Sequence, residues 1–251
     1  YYFSDRVVLR MHGAVEIGEH ELPWLHEDVA ELARRATIPK PRLFLFREAQ
    51  PNAFATGRNP SHGVVAVTEG IVQLLSRRQL RGVLAHEIAH IKNRDILIAS
   101  VAAMLSAIVT YAAQAFSMST LFGSSQDEGE GVGGAGLLAA LLAPIGATFV
   151  QLAVSRAREY VADETGARIS GDPEALASAL VKLERGSELL AMDGNPATAS
   201  LFIVNPLFGE GGLGRWFSTH PETEERVRRL LALRDELHAT ANRWLRSQPA
   251  W

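Results

Sequence analysis

The sequence predicts an α+β fold, mainly helical, with a small sheet and an inserted hairpin of two helices able to span a membrane. Three features lead there. His86-Glu87-Ile88-Ala89-His90 stands inside a stretch with helical periodicity. Short strand-like runs alternate with turn residues between positions 42 and 68. Residues 96–122 and 131–155 contain no Asp, Glu, Lys or Arg, and each is longer than the roughly 20 apolar residues that a spanning helix needs.

The elements follow in order. Leu22 to Ala36 repeats apolar residues on one helical face, with Leu22, Leu25, Val29, Leu32 and Ala33 aligned. Pro39 and Pro41 end it. Arg42 to Phe46, Asn52 to Gly57 and Val64 to Thr68 read as strands separated by turn residues. Ser76 and Gln79 form a capping-box pattern that starts the helix carrying His86 and His90. Its apolar face comprises Leu80, Val83, Leu84, Ile88 and Ile91, and with no Gly or Pro before Ile96 it is expected to run straight on into the first charge-free stretch. A second helix leaves the other stretch through Arg156 to Ile169 and stops near Gly171-Asp172-Pro173. Pro173 opens another helix, to about Leu190. Residues 193–214 are rich in Gly and Pro and read as a long loop, and Pro221 opens a final amphipathic helix with Val227, Leu230, Leu231, Arg234 and Leu237 along its core and rim.

Composition narrows the function classes. The 251 residues suffice for one good-sized domain with an appendage, and the net charge of -3 provides no basic field for nucleic acid. Cysteine is absent, which excludes disulfides and thiolate metal sites. Any metal must be held by His and carboxylate groups. The chain opens on Tyr1 with no signal-like segment, so it is expected to begin inside a longer protein.

The two charge-free stretches flank an acidic, Gly-rich connector, residues 123–130, and basic residues sit outside them: Lys92 and Arg94 before, Arg156 and Arg158 after. Positive flanks stay cytoplasmic, so the connector is expected outside and the His86–His90 helix on the cytosolic side. Pro144 would kink the second span, which a membrane helix tolerates. The expected organisation is an N-terminal part carrying the His86–His90 helix (residues 1–95), a transmembrane hairpin (96–155) and a C-terminal part (156–251), the two outer parts forming one unit. The competing reading is an Ala-rich hairpin buried in a soluble core.

The His-Glu-x-x-His pattern carries chemistry because residues four apart lie on one helical face. His86 and His90 can therefore reach one ion, while Glu87 stands close enough to move a proton. A catalytic site of this kind needs a third protein ligand. Glu159 and Asp163, again four apart on a helix, offer one carboxylate as a ligand and another to accept the free N–H of a ligating histidine. Asp95 fits either a structural or a ligand-supporting role. His12, His20, His26, His62 and His238 show no metal-binding spacing.

HEIAH at 86–90 and SRAREYVAD at 155–163, with the hairpin between them, resemble the HtpX-type membrane zinc metalloproteases, the bacterial branch of the family that includes the CAAX prenyl endoproteases. YYFSD at the start, PNAFATG at 51–57, HIKNRD at 90–95 and FSTHPETEERVRRL at 217–230 extend the resemblance over essentially the whole chain. The resemblance implies two further membrane spans upstream, expected in the part of the longer protein before Tyr1. The resemblance implies a gluzincin-like fold with one Zn2+ per chain, held by His86, His90 and Glu159. It implies Glu87 as general base and Asp163 as the partner of a ligand histidine. It places His220, just before Pro221, near the metal as a donor to the oxyanion, and makes Asn52 and Ala53 part of an edge strand that binds the substrate main chain. It further implies a multi-pass protein of the cell (inner) membrane whose active site faces the cytoplasm. Its partners would be the lipid bilayer and protein substrates, chiefly misfolded or damaged membrane proteins cleaved in a stress response. The alternatives are a processing protease for lipidated peptides and a non-catalytic metal-binding membrane scaffold, which would not need Glu87.

Overall fold

The computed structural model describes residues 14–122, 132–189 and 221–246. In chain order the elements are β1 (Val15–Glu16), α1 (Pro23–Ala36), β2 (Arg42–Phe46), β3 (Ala53–Thr56), a short 3-10 turn (Pro60–His62), β4 (Val64–Thr68), α2 (Glu69–Leu74), α3 (Arg77–Asn93), α4 (Asp95–Phe122), α5 (Val132–Ser170), α6 (Pro173–Leu189) and α7 (Thr223–Arg246). The fold is mainly helical with one small mixed sheet, as the sequence predicts. YYFSD, the connector, the Gly/Pro-rich stretch and His220 lie outside the described residues.

The strands order β1-β2-β4-β3. β2 and β4 are parallel, and the outer pairs are antiparallel. Side chains alternate across the sheet with period two. Leu43, Val65, Val67 and Ala53 join the main core with the helices, whereas Phe44, Phe46, Val64 and Ala66 form a smaller cluster against Phe54. All five residues of β4 are buried, as a central strand requires. β3 is left at the edge and packs on α3.

α3 opens on the expected capping box: the Ser76 hydroxyl accepts from Gln79 N–H at 3.3 Å, and Gln79 Oε1 accepts from Ser76 N–H at 3.0 Å. Its apolar face, Leu80, Val83, Leu84 and Ile88, is at most 1% exposed and forms the centre of the core. Asp28 on α1 is buried against Arg77 and Arg81 of α3, at 2.8 Å each, and ties the two helices.

One expectation fails at the end of α3. The helix does not run straight on: Arg94 adopts the left-handed conformation (φ 57, ψ 40), its N–H bonds to His90 O and Ile91 O, and a new helix starts at Asp95. Neither Gly nor Pro marks the break. Its effect is to turn Asp95 back toward His90. In an uninterrupted helix, residues five apart lie roughly 140° apart around the axis, out of reach.

α5 is continuous over 39 residues, with Pro144 inside it, and ends at Gly171 (φ +74). Glu159, Asp163 and Gly166 fall on one of its faces. A Cβ on Gly166 would stand 2.8 Å from His86 Cα and N, so only glycine permits α5 to lie this close to α3. The chain divides into two compact units, one made of residues up to Ile96 together with Arg158 onward, the other of Leu97–Ala157. Asp95–Ser119, which runs on into the second unit from its start in the first, is a helical stretch long and apolar enough to cross a membrane, the one such stretch among the described residues, and almost none of it is buried within the chain. Tyr111 is 75% exposed, and on α5 Leu141 is 65% exposed. These apolar side chains are left open among the described residues.

Candidate metal centre

α3 and α5 bring His86, His90 and Glu159 together. His86 Nε2 and His90 Nε2 are 3.1 Å apart, and each lies 3.6 Å from an oxygen of Glu159. Among the described residues this is the His/Glu group whose ligand atoms converge within 4.8 Å. A tetrahedral ion with ligand bonds near 2.05 Å needs ligand atoms about 3.3–3.4 Å apart, and the observed triangle brackets that value.

The outward nitrogens explain why the inner ones face each other. His90 Nδ1 bonds to Asp95 Oδ2 at 2.6 Å, and His86 Nδ1 lies 2.9 Å from Asp163 Oδ1, an ion-pair contact without the alignment of a full hydrogen bond. A neutral imidazole that gives its Nδ1 proton to a carboxylate presents a lone pair at Nε2. Two such lone pairs and a carboxylate aimed at one point repel unless a cation stands between them. The donor set therefore fits a small divalent metal ion.

Electrostatics agree. Burial alone would push the His86 pKa down, but Asp163 and Glu159 outweigh it and hold the ring at about 10. In the absence of metal, a proton thus takes the cation's place. Burial raises Asp163 too, but the Arg226 guanidinium outweighs that and brings the carboxyl down to about 2. Glu87, 4% exposed, has its pKa raised by burial, with His86 and His90 pulling the other way. Its carboxylate also accepts a backbone hydrogen bond from Ala55 of β3, which links the edge strand to the centre of the site.

Asn52 and Ala53 sit where β3 begins, both buried. Thr68 clamps the Asn52 backbone: its hydroxyl accepts from Asn52 N–H at 2.8 Å and its own N–H donates to Asn52 O at 2.9 Å. Asp95, for which the sequence allows two roles, supports His90. The residue that sequence reasoning misses is Arg226. It is 2% exposed and grips Asp163 through two hydrogen bonds, Nε to Oδ2 at 2.8 Å and Nη2 to Oδ1 at 2.7 Å. A signal was present: Arg226 falls on the same helical face as Leu230 and Leu233, both buried, and an arginine in an apolar stripe needs a buried carboxylate to answer it.

Residues 19–234 match the sequence profile of peptidase family M48. The chain belongs to that family. As an M48 peptidase it is a metalloprotease, and its relatives agree. It is 52% identical over 239 residues to "Protease HtpX homolog" of Aquifex aeolicus, covering 93% of this chain and 79% of the relative. To the protein of the same name from Persephonella marina it is 55% identical over 236 residues, covering 92% and 81%. In three dimensions this M48 chain is similar to the crystal structure of S. mikatae Ste24p, with a TM-score of 0.60 and 20% identity. That match covers 91% of this chain and 54% of the other, so the chain spans about half the length of Ste24p. At that identity the likeness shows the fold alone.

Proposed function

We propose that this metalloprotease is an integral-membrane, zinc-dependent endopeptidase acting on misfolded or damaged membrane proteins, with its active site toward the cytoplasm. The observation that carries the hydrolytic reading is the convergence of His86, His90 and Glu159 beside the buried Glu87. The first three would hold the ion. When bound, zinc supplies Lewis acidity, through which such sites ionise water near neutral pH. Glu87, its basicity raised by burial, takes the proton of the attacking water and returns it to the leaving amine. Asp163 and Asp95 fix the rings of His86 and His90 so that both Nε2 atoms stay directed inward. His220 would donate to the developing oxyanion.

Among the described residues β3 is an edge strand, which suits a substrate segment added as one more strand, with Asn52 and Ala53 at its start. The contact between Glu87 and Ala55 then keeps the scissile bond near the base. The exposed apolar helix α4 and the apolar part of α5 support a membrane hairpin inserted between the two catalytic parts, 1–95 and 156–251. The substrate class rests on the family resemblance.

The deciding experiment compares wild type and Glu87→Gln in detergent with zinc, following casein cleavage and self-cleavage. The variant is expected to keep its metal and lose at least about a hundredfold in turnover. Equal cleavage by both proteins would overturn the hydrolytic role of Glu87, and cleavage by neither would favour a metal-binding scaffold.

A further inference from the structure

Arg226 is an arginine enclosed by protein, and an unpaired guanidinium there would be costly. Its fork meets Asp163 with both oxygens engaged, and the Asp163 oxygen it holds at 2.7 Å is the one 2.9 Å from His86 Nδ1. Its Nη2 also lies 3.7 Å from Glu159 Oε2. Around the same point Glu87, Glu159, Asp163 and Asp95 are all buried carboxylates. A divalent cation offsets two of those charges and Arg226 a third.

The two histidines are oriented in different ways. His90 is held locally: Asp95 follows it by five residues across the helix break at Arg94, and Arg158 Nη1 donates to Asp95 O at 2.6 Å. His86 depends on a carboxylate that can rotate, fixed by a side chain from α7, 63 residues away from Asp163. We propose that Arg226 is a positioning residue for the metal site: it locks the Asp163 carboxylate in the orientation that presents His86 Nε2 to the cation. The docking of α7 and the affinity of the site are thereby coupled. This inference rests on His86, His90 and Glu159 being the metal ligands.

The test uses the full chain, purified in detergent, stripped of metal and titrated with Co2+ against a competing chelator. The visible spectrum of the cobalt form reports coordination geometry. Arg226→Gln is expected to weaken Co2+ binding by about 10–100-fold. Arg226→Lys keeps the charge but not the fork, so it should bind with intermediate affinity and a shifted cobalt band. In an Asp163→Asn background, Arg226→Gln should change affinity by less than about threefold, because its route of action is already gone. Should Arg226→Gln not fold, Arg226→Lys alone and combined with Asp163→Asn answers the same question. Wild-type affinity and spectrum in Arg226→Lys, or a full additional loss in the double variant, would overturn the proposal. A wild type that binds no Co2+ would instead remove the metal-site reading on which it stands.

Discussion

His86 is where burial and charge compete most directly. Its folded pKa of about 10 stands above the ordinary 6.5, because Asp163 and Glu159 outweigh burial. In the metal-free protein this raised pKa contributes stability that is complete below about 6.5 and is lost as pH rises through about 10. On the proposed function, a bound metal ion displaces that proton. Apparent metal affinity should therefore climb with pH, by up to about tenfold per unit across neutrality. Chelator competition at several pH values checks this, and a flat profile would contradict a protonated His86. Asp163 has the opposite sign. Held at about 2 against 3.8, it stabilises the fold by about 2 kcal/mol above pH 4 and loses that as pH falls toward 2. Acid unfolding of metal-free wild type against Asp163→Asn should show this dependence in the wild type only.

At the scale of elements, the site is a matter of how closely α3 and α5 approach. Glu159 and Asp163 reach the histidines because Gly166, on the same face, lets α5 lie against the His86 backbone. Gly166→Ala places a methyl group 2.8 Å from backbone atoms that cannot rotate away. It should destabilise the protein by about 1–3 kcal/mol and lower metal content in parallel, as read by denaturant unfolding and metal analysis of the purified variant. The break between α3 and α4 has a comparable role. Arg94 accepts the left-handed conformation, normally costly outside Gly, and in return Asp95 meets His90. The α3 capping box was legible from Ser76 and Gln79 alone because it is a local pattern. The Arg94 turn was not, because what compensates it is a contact between side chains.

Across the whole molecule, the unit that carries His86, His90 and Glu159 is assembled from two segments separated in sequence, and the apolar helices lie in the stretch between them. The exposed apolar surface of α4 calls for a non-aqueous surrounding. The protein is expected to resist carbonate extraction and to need detergent for release, and a carbonate-soluble chain would argue for the buried-hairpin alternative. Much of this plan was readable beforehand. The His86–His90 spacing, the charge-free runs and the short apolar runs of β2 and β4 between turn residues are each signals within one element, and each of these elements was found near its expected bounds. Arg226 was not readable in this way, since its meaning depends on Asp163, a residue of another helix.

By itself, the sequence determined which helix presents two imidazoles on one face, which residues belong to the core, and where apolar surface accumulates, because backbone geometry and hydrophobic period act within a few turns. Only the tertiary structure decided that Glu159 meets those imidazoles, that Asp95 turns back to one and Asp163 to the other, and that Arg226 closes the set. Those contacts join distant segments through packing, and no local pattern encodes the distance between two helices.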